Sequence, residues 1–146
     1  REPSSLNGHQ RMRRIDTWFL LLGVLCLIGG MSLGIVMGAT HDFSLRPVHA
    51  HLNLLGWVTL ALFGLAYRGW PDLGRSSLAP LHLILSGSGA LLMPFGIWLA
   101  ITHGQTSLAF LGAFVSLGGA LVFLVALLNH LTQPASARAQ SHHIRR

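Results

Sequence analysis

The chain has 146 residues, of which 51% are hydrophobic and only 10% are charged. Soluble domains carry about a quarter charged residues, so this composition excludes an ordinary water-soluble globule. The formal net charge of +6 at pH 7 would suggest nucleic-acid binding in a soluble protein. In a membrane protein, arginines instead set the topology and contact anionic lipid, so we expect a lipid bilayer and no nucleic acid as the partner.

Four apolar stretches follow one another along the chain, at residues 18–38, 48–67, 81–101 and 108–131. Each has close to the roughly 20 residues that a helix needs to cross a bilayer. The first is too long for a signal-peptide core and shows no small-residue cleavage pattern, so we interpret it as a membrane anchor. The sequence therefore predicts an all-α transmembrane domain at residues 16–132, between polar cytoplasmic tails at 1–15 and 133–146.

The connections between the predicted helices are short, so consecutive helices should run antiparallel as an up-down-up-down four-helix bundle. Glycines at positions 30, 34 and 38 of the first helix recur at four-residue spacing, and residues 86–90 of the third helix are all small. Small residues let helix backbones approach closely in a membrane. These two segments are the predicted helix-contact faces.

All ten basic residues are arginines, and they are distributed unevenly. Nine lie on one side of the predicted helices: Arg1, Arg11, Arg13, Arg14, Arg68, Arg75, Arg138, Arg145 and Arg146. The other two connections contain only Arg46. The positive-inside rule therefore predicts two cytoplasmic termini in a membrane of the bacterial inner-membrane type.

The histidines His49 and His51 are the strongest functional candidates, because they lie at the start of the second helix in the outer leaflet. Pro47 is tolerated in the first turn of a helix and so places that start near His49. An ionisable residue inside a membrane is costly and is a functional candidate by default. His41 and His103 also fall on the outer side, whereas His82 lies near the cytoplasmic start of the third helix, where bonding across helices explains it.

Two residues apart on an α-helix is about 200° around its axis, so His49 and His51 cannot bind one metal ion together. One ring is therefore expected to face a neighbouring subunit. Imidazole suits iron, copper and zinc. On the His49 side, Asn53 and Gly56 begin a surface whose glycines leave room for a planar ligand, and haem with imidazole axial ligands fits such an apolar slot best.

The segment HAHLNLLGWVTLALFGLAYRGWP resembles the tenth helix of subunit I of the haem-copper oxidases and nitric oxide reductases, where a His-x-His pair faces two haems. The preceding FSLRPVHAH also resembles the segment entering that subunit's second helix, which supplies another haem ligand. The family's twelve helices form three equivalent four-helix arcs. The resemblance therefore implies a twelve-helix homotrimer of this chain, with haem at His49 and His51.

The family's copper centre needs three histidines, and the matching end of the third helix here carries only His103. The resemblance therefore implies a haem site without oxygen or nitric oxide reduction. We expect haem b held by His49 of one subunit and His51 of the next, with Arg46 pairing with the propionates and Asn53 and Gly56 lining the ligand. Electron transfer, with donor and acceptor unidentified, is the expected activity.

Two alternatives remain open from the sequence. The first is a protein that binds copper or another metal through the outer histidines His41, His49, His51 and His103, with His82 a weaker candidate. The second is a cofactor-free accessory subunit of a respiratory complex. Haem would make the purified protein red, whereas the alternatives predict either a colourless copper protein or no cofactor.

The predicted topology can be tested by replacing Ser107, in the last outer connection, with cysteine. With both termini cytoplasmic, a membrane-impermeant thiol reagent should label Ser107→Cys from outside intact cells. Labelling only after the cytoplasmic side is exposed would reverse the topology and move His49 and His51 to the inner leaflet.

Overall fold

The structure, a computed structural model, describes the backbone of residues 5–132 and the side chains of residues 15–132. The predicted C-terminal tail lies outside the described residues. Every described element is helical: α1 (Ser5–Thr40), α2 (Arg46–His51), a π-helical segment (Leu52–Thr59), α3 (Leu60–Gly69), a 3-10 turn (Leu73–Arg75), α4 (Leu78–His103) and α5 (Ser107–Thr132). The predicted all-α class is confirmed, although α1 begins at Ser5, inside the predicted N-terminal tail.

Four spans are long and apolar enough to cross a membrane: Ile15–Thr40, Arg46–Gly69, Leu78–His103 and Ser107–Thr132. The predicted number of helices that could cross a membrane is therefore confirmed. The second span consists of α2, the π-helical segment and α3 in continuous sequence. The spans extend a few residues beyond the predicted apolar stretches, because polar and glycine residues continue the helical hydrogen bonding at the ends.

A residue in the left-handed backbone conformation follows each of the two helices that end on the predicted outer side. His41 follows α1 with a φ of 56°, and Gly104 follows α4 with a φ of 71°. Glycine adopts this conformation without a steric cost, and the N–H of Gly104 donates a 3.1 Å hydrogen bond to the carbonyl of Ala100. Few residues other than glycine adopt this conformation, although histidine does so more often than most, and His41 lies exposed in the connection.

Small residues bring α4 and α5 into the most extensive contact of the fold. Four close approaches recur in antiparallel order, pairing Gly96 with Ala109, Met93 with Gly112, Gly89 with Ser116 and Ser86 with Gly119. Each step of three or four residues along α4 matches an equal step backwards along α5. The prediction that residues 86–90 form a helix-contact face is thus confirmed.

The second span packs on α1 through the predicted α1 glycines. A Cβ atom built on Gly30 would lie 2.9 Å from Asn53 Cγ, and one built on Gly34 would lie 2.9 Å from His49 Cε1. Gly38 was predicted to share this face, but a Cβ atom there would meet nothing within 4 Å. Gly38 therefore lies on α1 outside this contact.

The helices follow one another as a row rather than as an evenly closed bundle. α1 packs on the second span and less extensively on α4, the N-terminal part of the second span packs on α4, and α5 packs on α4. Among the described residues, α1 and α5 make no extensive backbone contact. An aromatic core joins the row in the predicted cytoplasmic half, where Phe19 and Leu60 are fully buried.

The α4–α5 contact can be tested with two glycines of α5. Gly112→Val should destabilise the protein by about 1–3 kcal/mol, because overpacked contacts cost this much and its Cβ would lie 2.5 Å from the Met93 backbone nitrogen. Gly118→Val is the matched control, since a Cβ there meets only Leu85 Cδ1 at 3.8 Å. Unfolding in mixed detergent–SDS micelles measures both, and equal losses for the two variants would contradict the packing.

Candidate functional site

His49 points towards α1. Its Nδ1 lies 2.8 Å from the carbonyl oxygen of Gly30, and its ring lies against Gly34, where the missing side chain leaves room for it. Because a carbonyl oxygen can only accept a hydrogen bond, Nδ1–H is the donor. His49 is half-buried, and α1 therefore holds one side of its imidazole in place.

His51 makes the corresponding bond within its own helix. Its Nδ1–H donates to the carbonyl oxygen of Pro47 at 2.7 Å, one turn earlier. His51 is also half-buried, and no hydrogen bond within the described part of the chain joins it to another helix. The two rings of the pair therefore have different surroundings, as their separation of about 200° around the helix requires.

Both imidazoles carry their proton on Nδ1 and leave the lone pair of Nε2 available. The same arrangement is common in metal sites, where a backbone carbonyl or carboxylate holds one ring N–H and orients the other nitrogen towards the metal. In neither ring does a described residue form a hydrogen bond to Nε2. The donor set thus fits an iron porphyrin that takes one neutral imidazole on each side.

A π-helical segment starts immediately after His51 and runs from Leu52 to Thr59. At its start, Asn53 Nδ2 donates a 2.8 Å hydrogen bond to the carbonyl oxygen of His49. Near its end, the hydroxyl of Thr59 donates to the carbonyl oxygen of Leu54 at 2.8 Å. π-Helical segments are rare and occur frequently at functional sites, so this segment marks the His-x-His turn as a special part of the span.

The surface below His49 is not open in the single chain. Gly56 is buried, and a Cβ atom built on it would lie 2.6 Å from Cys26 Cβ. Gly64 is likewise covered, by the backbone of Asp16 and the side chain of Leu20. The expectation that these glycines leave a flat slot for a planar ligand is therefore corrected, because their missing side chains are used for packing against α1.

Arg46 lies exposed at the N-terminal end of the second span. Its Nε donates to the carbonyl oxygen of Phe43 at 3.2 Å, and its guanidinium carbon lies 5.7 Å from the centre of the Phe43 ring. Nearby, the backbone N–H of Ser44 donates to Asp42 at 3.0 Å and lowers the pKa of that exposed carboxyl. The two terminal guanidinium nitrogens of Arg46 make no hydrogen bond to a described residue, so they remain free for an anionic group.

The other outer histidines do not join the pair in a metal site. Thr102 Oγ1 and His103 Nδ1 lie 2.6 Å apart, and the His103 ring packs edge-on to Trp98 at 5.8 Å. Within residues 15–132, the side chains form no group of three or more histidine, cysteine, aspartate or glutamate residues that could hold a metal ion. His41, His49, His51 and His103 are thus not assembled into a copper site by the fold of one described chain.

A second polar site lies in the aromatic core, and the partner of its histidine was not predicted from the sequence. His82 is completely buried, and its Nδ1 lies 2.9 Å from the hydroxyl of Tyr67. Phe63 packs edge-on to its ring at 4.4 Å, and Phe123 stacks on it at 4.9 Å. His82 was expected to bond across helices, and it does so, with a side-chain hydroxyl. Tyr67 could have been considered as the partner from the sequence, because it is the only tyrosine of the chain.

Comparison of the chain with protein-family models, with curated proteins and with solved structures finds no match.

The Tyr67–His82 hydrogen bond can be measured with a double-mutant cycle. Tyr67→Phe leaves His82 Nδ1 buried without a partner and should cost about 1–3 kcal/mol, as should His82→Phe, which leaves the tyrosine hydroxyl unpaired. The double variant Tyr67→Phe/His82→Phe removes both polar groups, so it should lose less stability than the two single variants together. The phenylalanine ring is larger than the histidine ring that it replaces, and any cost of its size occurs in both His82→Phe and the double variant. That cost therefore cancels in the cycle. Additive losses within about 0.5 kcal/mol would show that the two groups are not coupled.

Proposed function

We propose that this chain is a membrane-bound b-type haem protein that transfers single electrons. It assembles as a homotrimer of twelve helices, and His49 of one subunit and His51 of the next hold each haem near the outer face. The observation that carries the proposal is the shared state of the two imidazoles, since a backbone carbonyl accepts the Nδ1–H of each ring. Each Nε2 is thereby oriented as an uncharged ligand.

The proposal requires two subunits at each haem. Within one chain, His49 lies against α1 and His51 bonds to its own helix, about 200° away around the axis. A haem with two axial imidazoles therefore needs the second ring from another chain. A cyclic arrangement satisfies all the rings at once, because every subunit then gives His49 to one neighbour and His51 to the other.

The row of helices supports a cyclic assembly. Its two ends, α1 and α5, make no extensive contact with each other in the described chain, so neighbouring subunits can continue the row. Three such rows give the twelve helices that the resemblance to subunit I of the haem-copper oxidases implies. The number three rests on that resemblance, whereas the need for a neighbour follows from the two histidines.

Arg46 and the axial histidines have distinct roles in this proposal. A b-type haem supplies reversible one-electron chemistry at its iron. His49 of one subunit and His51 of the next would hold the haem, and two histidine ligands would favour electron transfer over the binding of oxygen. Arg46 lies one helical turn before His49, and its free guanidinium nitrogens can pair with a propionate carboxylate.

The ligands can be tested by absorption spectroscopy of the purified protein. The wild type should be red, with sharp low-spin bands on reduction and a pyridine adduct typical of haem b. His49→Ala and His51→Ala should each convert every site to a high-spin, carbon-monoxide-binding form or empty it. His41→Ala and His103→Ala are matched controls from the same side of the membrane and should keep the low-spin bands. A colourless wild-type protein would contradict the proposal.

Co-expression of the two ligand variants tests the sharing between subunits. In a mixed ring, a subunit carrying His51→Ala can still give its His49 to a neighbour carrying His49→Ala, which gives its own His51. One complete site then forms, so part of the low-spin signal should return, and native mass spectrometry should give three chains per particle. A full absence of rescue, or a haem-loaded monomer, would place both ligands within one chain.

A further inference from the structure

Gly30 makes two different contacts with the second span at the same point. Its carbonyl oxygen accepts the Nδ1–H of His49 at 2.8 Å. On its other side, the space that a side chain would fill is occupied by the amide of Asn53, whose Cγ would lie 2.9 Å from an added Cβ. Gly30 is buried, so both contacts are enclosed by the two helices.

Asn53 links these contacts to the backbone of the histidine itself. Its Nδ2 donates to the carbonyl oxygen of His49 at 2.8 Å. This carbonyl lies where the α-helix changes to the π-helical segment, and the N–H of Leu52 is shared there between the carbonyls of Val48 and His49. The side chain of Asn53 gives that carbonyl a donor in addition to this shared N–H.

We propose that Asn53 is a positioning residue for His49, and that its amide can take this position because Gly30 has no side chain there. Asn53 holds the His49 carbonyl from within the second span, while Gly30 holds the His49 ring from α1. The two contacts meet at one residue, so the direction of His49 Nε2 is fixed relative to both helices. Asn53 therefore acts on the ligand through its backbone and does not contact the haem itself, which replaces its expected role as a lining residue.

The purpose of this positioning rests on the proposed haem function, whereas the contacts that achieve it all lie within the single chain. A membrane helix gains little from hydrophobic burial against another helix, and close packing and hydrogen bonds hold it instead. An added methyl group at Gly30 would push Asn53 away and lengthen the bond from His49 to the Gly30 carbonyl. Gly29, the next residue, offers an independent comparison because a Cβ there meets nothing within 4 Å.

The experiment uses the full chain, labelled with ¹⁵N-histidine and purified from cells deprived of haem, and records the ring nitrogens of His49 by NMR. The wild type should show a single neutral ring with its proton on Nδ1. Asn53→Ala and Gly30→Ala should release the ring and raise the fraction with the proton on Nε2, on the order of tenfold. Asn53→Ser should restore much of the wild-type signal, because a serine hydroxyl donates to the carbonyl four residues earlier.

Gly29→Ala should leave the His49 signal unchanged, and helical content by circular dichroism shows that each variant remains folded. The proposal is overturned if Asn53→Ala keeps the wild-type tautomer, or if Gly29→Ala and Gly30→Ala change it equally. Haem content measured on the same variants is a separate readout. A wild-type chain that binds no haem but shows the predicted tautomers would refute the proposed function and leave the role of Asn53 intact.

Discussion

Close approach of helix backbones at glycine is the constraint on which this structure depends. Lipid is as apolar as the helix surfaces, so burial alone does little to hold the helices together, and packing and hydrogen bonds must act at short range. Gly30 and Gly34 bring α1 near enough for the Gly30 carbonyl to accept the His49 N–H at 2.8 Å. With alanine at either position, the second span would move outwards and the His49 ring would lose its fixed direction.

The same constraint explains why the sequence predicts the helices well and the site only in part. Apolar length predicts four spans, and small residues at 86–90 predict the face that α4 presents to α5. The use of each glycine is harder to predict, because absence of a side chain is compatible with a ligand slot, a helix contact or open space. Gly56 packs against Cys26, Gly30 receives Asn53, and Gly38 faces nothing in the described chain. Only three-dimensional neighbours separate these cases.

Helical periodicity has a related limit in the second span. An angle of about 100° per residue predicts that His49 and His51 point to different sides, and that holds because both lie in α2. It becomes unreliable beyond His51, where the π-helical segment changes the turn per residue over eight positions. The residues LNLLGWVT contain no pattern from which a π-helical segment could be predicted with one sequence alone. Two of its side chains donate to backbone carbonyls, the Asn53 amide to that of His49 and the Thr59 hydroxyl to that of Leu54.

The two polar sites of the chain differ in their surroundings and in what they can do. His82 is enclosed by aromatic rings and bonded to Tyr67, so its position joins α3 to α4 where their backbones make no extensive contact. A buried hydrogen bond of this kind specifies how the two helices face each other, since any other register leaves both groups unpaired. His49 and His51 are only half-buried, and in each of them, as in His82, one ring nitrogen is bonded while Nε2 has no described partner. The difference from His82 is exposure, because the half-buried rings of His49 and His51 leave their Nε2 atoms within reach of a group outside the chain, whereas His82 Nε2 is fully enclosed. In the proposed function a ligand outside the single chain binds these nitrogens, which is why the cofactor and the neighbouring subunit belong to one proposal.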